Sequence, residues 1–85
     1  MALAQKIIIA DDHPLFRAAL QQAVKQVAPE ADIVEADSME AVQNAASDHP
    51  DADLILLDLH MPGAHGFSGL VFLRGQCPGI PVIVV

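Results

Sequence analysis

Aliphatic blocks and polar stretches follow one another along the chain in a regular order, and the period changes with each block. Lys6-Ile7-Ile8-Ile9-Ala10 and Leu54-Ile55-Leu56-Leu57 are short, almost wholly apolar runs. Such runs predict strands buried on both faces, as in the middle of a parallel sheet. Between them Phe16, Leu20, Ala23, Val24 and Val27 recur at three- and four-residue spacing, which predicts a helix with one apolar stripe. Pro14 suits the first position of that helix, where its missing N–H leaves no orphan donor, and Ala28-Pro29 stops it. Asp32-Ile33-Val34-Glu35-Ala36 is partly polar and reads as a strand near the sheet edge. Ser38 is a candidate N-cap with Glu40 in the first turn, and Met39, Val42, Ala45 and Ala46 form the inward stripe of a second helix that ends at His49-Pro50-Asp51.

Beyond Met61-Pro62-Gly63 and Ala64-His65-Gly66, the segment Phe67 to Gln76 reads as a third helix with Phe67, Leu70, Val71 and Leu73 turned inward. Gly69 and Gly75 each weaken it by about 1 kcal/mol relative to Ala. Cys77-Pro78-Gly79 is a turn, and Ile80 to Val85 is a fourth, very apolar strand. Strands alternating with helices at this spacing imply an α/β fold of parallel units with right-handed crossovers. In such sheets ligands bind at the carboxyl ends of the strands, where strand order reverses.

Composition narrows the class. With 85 residues the chain is one small domain. Hydrophobic residues make up 53% of it, which argues against disorder, and no apolar run is long enough to span a bilayer. Met1 to Lys6 lacks the cationic region of a secretory leader, and Cys77 is the only cysteine, so the expected location is the cytoplasm. The net charge is −7, and Lys6, Arg17, Lys25 and Arg74 are scattered, so direct nucleic-acid binding by this chain is not expected.

The first strand ends in Asp11-Asp12-His13-Pro14 and the third in Asp58-Leu59-His60-Met61-Pro62-Gly63. If these strands are neighbours, Asp11, Asp12 and Asp58 converge. Three carboxylates that close repel one another unless a proton or a divalent cation intervenes. Mg²⁺ suits a set of hard oxygens, and the His60 carbonyl can add another. A carboxylate beside such a cation can attack phosphorus, so Asp58 becomes a candidate aspartyl-phosphate nucleophile.

Ile7 to Arg17 together with Leu54 to Gly63 resembles the receiver domain of two-component response regulators, closest to regulators of the LuxR type. The resemblance covers the whole chain. It implies a flavodoxin-like, doubly wound parallel sheet with four strands in the order 2-1-3-4 and three helices. It implies that Asp58 is the phosphoacceptor, that Asp12, Asp58 and the His60 carbonyl bind Mg²⁺ directly, and that Asp11 assists through water. The implied phosphodonor is a sensor histidine kinase or a small acyl phosphate, and the implied output is transcriptional control by a separate DNA-binding domain. Relative to the family pattern, residues 1–85 read as a partial receiver: helices four and five, strand five with its Lys, and the Ser or Thr after strand four have no counterpart. An exposed, apolar fourth strand then predicts self-association through its edge.

Other readings have weaker support. A transition-metal site of His13, His60 and His65 with Asp58 matches no standard zinc spacing. Cys77 has no identified base partner and reads as a structural thiol. A phosphatase with an Asp nucleophile would carry a second acid two residues later, where this chain has His60. The chain therefore reads as a phosphoacceptor rather than an enzyme, with a receiver-like assembly module, free of phosphoryl chemistry, as the alternative.

Overall fold

The computed structural model describes residues 5–63 and 67–85. Its elements are β1 (Lys6–Ala10), α1 (Pro14–Val27), β2 (Asp32–Ala36), α2 (Met39–Asp48), β3 (Leu54–Leu57), α3 (Phe67–Gln76) and β4 (Val82–Val84). All strand pairs are parallel and the order is β2-β1-β3-β4. This is the expected doubly wound α/β sheet. The period-two alternation of β1 and β3 sorts their side chains onto two faces. Ile8, Ala10, Ile55 and Leu57 meet Val42, Ala46 and Leu73 on one face, while Ile7, Ile9 and Leu56 meet Leu20 and Val24 on the other.

Local chemistry explains the helix boundaries. Pro14 opens α1, and Ser38 caps α2 by accepting a hydrogen bond from the Ala41 amide at 3.1 Å. The stripe of α2 is buried as its spacing predicts.

Three expectations need correction. No residue of α1 is fully buried: Leu20 and Val24 pack partly against the sheet, but Phe16 and Val27 face solvent. One helix cannot cover a four-stranded face, and an open groove of about 320 Å³ remains between α1 and the side chains of Ile7, Leu54 and Leu56. In α3, Leu73 is fully buried and Leu70 partly, but Val71 is 68% exposed. Val71 lies one residue, about 100° of helical rotation, beyond Leu70, whereas Leu73 lies three residues on and shares its face. The side chain of Phe67 and the expected loop 64–66 lie outside the described residues. Finally, β4 starts at Val82 rather than Ile80, because the Ile80 amide bonds back to the Cys77 carbonyl at 3.2 Å and Pro81 has no N–H to give.

Cys77 follows α3, where its Sγ donates to the Leu73 carbonyl at 3.1 Å. Burial raises the thiol above its ordinary pKa, with Arg74 opposing, as expected of a structural rather than a reactive cysteine.

Candidate functional site

The sheet register brings the acids together. Ala10 pairs with Leu57 across β1 and β3, so the next residues, Asp11 and Asp58, leave the sheet side by side. The ladder holds both of them in place. Asp11 donates its amide to the Ala36 carbonyl at 3.0 Å, and Asp58 donates to the Ala10 carbonyl at 2.9 Å. Because β1 has β2 on one side and β3 on the other, this is the point at which strand order reverses.

Each acid is then fixed by the same local turn. Asp11 Oδ1 accepts the His13 amide at 2.7 Å, and Asp58 Oδ1 accepts the His60 amide at 2.9 Å. This is an Asx turn, in which a side-chain oxygen takes a main-chain donor two residues on. One oxygen of each carboxylate is thus occupied and the other is left for something else. Asp11 is fully buried and Asp58 only 8% exposed, yet Asp11 Oδ2 and Asp12 Oδ1 have no hydrogen-bond partner. Arg17 is close but its guanidinium is engaged elsewhere, through Nη1 to the Asp11 main-chain carbonyl at 2.7 Å and Nε to Glu35 Oε1 at 2.8 Å.

Ligand atoms of Asp11, Asp12, His13 and Asp58 all lie within 4.8 Å of one another. Burying two carboxylate oxygens without hydrogen bonds is costly, so the donor set suits a hard divalent ion. The loop after Asp58 is anchored as well. Met61 is buried, the Met39 amide donates to the Pro62 carbonyl at 3.1 Å, and Gly63 takes φ +84° against the Met39 side chain. A Cβ there would meet Met39 at 3.4 Å in a backbone conformation that L residues rarely adopt.

The expected acids therefore converge. Of the histidines, His13 joins the cluster, while the His60 side chain is 88% exposed with Nδ1 3.5 Å from Asp58 Oδ1, and His65 lies outside the described residues. Sequence reasoning missed the two amides that orient the carboxylates. Their signal was present, since Asp11-Asp12-His13 and Asp58-Leu59-His60 share the spacing Asp-x-His. The role of Arg17 in tying the β1 loop to β2 had no local signal.

The model of the response regulator receiver domain matches residues 7–85. The chain belongs to that family. This receiver domain is 46% identical over 80 residues to the glycerol metabolism activator of Pseudomonas putida, covering 94% of the chain and 36% of that protein. It is 38% identical over 68 residues to the nitrate/nitrite response regulator protein NarL of Escherichia coli K12, covering 80% of the chain and 31% of NarL. Among solved structures it is similar to RcsB of Salmonella enterica serovar Typhimurium, bound to a promoter in the presence of the phosphomimetic BeF3-. That match has a TM-score of 0.80 and 27% identity, over 96% of this chain and 41% of the RcsB chain. The receiver domain thus spans about a third of the length of these curated relatives. It is a receiver domain of the two-component response regulators, a family in which phosphorylation and Mg²⁺ are general features. Among the described residues no helix is long and apolar enough to cross a membrane.

Proposed function

We infer that Asp58 takes a phosphoryl group from a phosphohistidine on a sensor histidine kinase or from a small acyl phosphate, and that this controls a transcriptional output. The observation that carries the reading is the convergence of Asp58 with Asp11 and Asp12 at the switch point, with buried carboxylate oxygens left unpartnered. The Asx turn to His60 fixes Asp58 Oδ1, and no hydrogen bond among the described residues reaches Oδ2. Oδ2 is the nucleophile. It attacks phosphorus while the bond to the donor's nitrogen or oxygen breaks, and the leaving atom keeps the electron pair. Asp11, Asp12, Asp58 and the His60 main-chain carbonyl are the groups that would hold Mg²⁺. When bound, the ion neutralises the acids and screens the phosphoryl oxygens. Two observations support a transcriptional output: the relatives are a metabolic activator and a nitrate/nitrite regulator, and RcsB has been solved on a promoter.

Incubation with acetyl phosphate and Mg²⁺ tests the reading. Intact mass should show one added phosphoryl group, labile to hydroxylamine and absent when the metal is chelated beforehand. Incorporation that persists under chelation would contradict it.

A further inference from the structure

His13 stands out because the proposed chemistry does not use its side chain. It precedes α1, is 71% exposed at the side chain, and makes no side-chain capping bond to the helix. Its Nδ1 lies 3.1 Å from Asp12 Oδ1 and 3.4 Å from Asp11 Oδ1. Despite the short distance, Asp12 Oδ1 is buried without a hydrogen-bond partner, so the imidazole sits beside the carboxylates without hydrogen-bonding to that oxygen. These spacings fit an imidazole–carboxylate ion pair and equally fit ligands that share one ion. With metal–ligand bonds of about 2.1 Å, adjacent ligand atoms of an octahedron are separated by about 3 Å and opposite ones by about 4.2 Å. The cluster spans at most 4.8 Å, so its widest pair would close by about 0.6 Å to sit on opposite sides of an ion and by about 1.8 Å to sit on adjacent ones. Asp11 Oδ2, fully buried and unpartnered, is the independent sign that the cluster is built to receive a cation.

We propose that the His13 imidazole is a direct ligand for borderline first-row divalent ions such as Co²⁺ or Ni²⁺ at this site, giving them a nitrogen that Mg²⁺ does not use. The inference rests on the acidic cluster being the cation site of the proposed function, and goes beyond it by adding a ligand and a competing class of ion. Imidazole is a good donor to these ions, whereas Mg²⁺ takes oxygen. Such ions also bind any N/O site more tightly than the early members of the row, so a higher Co²⁺ affinity alone decides nothing. The dependence on His13 decides it.

The test is calorimetric titration of the full chain with CoCl2 and, separately, MgCl2, with the visible absorption of Co²⁺ recorded alongside. His13→Asn should weaken Co²⁺ by about tenfold or more and change its spectrum, while Mg²⁺ affinity moves by less than about twofold. His49→Asn, at the carboxyl end of α2, should change neither. Far-UV circular dichroism establishes that each variant folds, and in the unmodified chain the ring protons of His13 should show the contact shift of a bound paramagnetic ion. Unchanged Co²⁺ affinity and spectrum in His13→Asn would overturn the inference and leave the Mg²⁺ site standing. Failure of the unmodified chain to bind either ion would overturn both.

Discussion

Asp58→Asn should remove phosphate uptake, cutting Mg²⁺-dependent incorporation from acetyl phosphate by about a hundredfold or more. The substitution is nearly isosteric. Its Oδ1 can still accept the His60 amide, and the main-chain bond from residue 58 to the Ala10 carbonyl is untouched, so the loop keeps its shape. What changes is the second oxygen, which becomes an amide nitrogen with no lone pair to offer phosphorus. Radiolabel incorporation, with far-UV circular dichroism to establish folding, measures the effect. Wild-type incorporation in a folded Asp58→Asn chain would place the acceptor elsewhere and end the assignment.

Asp11→Asn should move stability and cation affinity in opposite directions. Asp11 is fully buried, its Oδ2 has no partner, and the Asp12 and Asp58 carboxylates are its neighbours. Replacing it by a neutral amide keeps the acceptor for the His13 amide and puts an N–H donor where two carboxylates can use it. Without divalent ions the variant should therefore be more stable by about 1–2 kcal/mol, from relief of like-charge repulsion and desolvation. For a domain of this size each kcal/mol raises the melting temperature by about 4–8 °C. With Mg²⁺ the order narrows or reverses, because the variant loses about tenfold in affinity. Thermal unfolding with and without MgCl2 reads both effects. A variant less stable than wild type in chelator would show that Asp11 is there for structure rather than for a cation.

Legibility in the sequence followed the strength of the local constraint. The boundaries of β1, α2 and β3 were readable because the aliphatic runs and the Ser38 cap leave few alternatives, and the acids were readable because charges at strand ends must find a partner. The inward face of α1 was not, since a stripe such as Phe16, Leu20, Val24 and Val27 states which side is apolar but not how much sheet is there to cover it. Val71 misled for a related reason: in α3 seven of the ten positions are apolar or Gly, so hydrophobicity alone could not rank its faces. The Asx turns were encoded in two Asp-x-His triplets, yet only the coordinates show that main-chain amides occupy one oxygen of each acid. The Arg17 bridge to Glu35 joins residues 18 apart on different elements, and no periodicity reports such a pair.

Nitrogen-15 amide spectra recorded while Mg²⁺, and then beryllofluoride, are added address the central claim most directly. Shifts should cluster at residues 11–13 and 58–61, saturate with one equivalent of ion, and extend on beryllofluoride addition only when Asp58 is present. Spectra that stay unchanged at these amides through millimolar Mg²⁺ would mean that the converging carboxylates do not hold the ion that the proposed phosphoryl uptake requires.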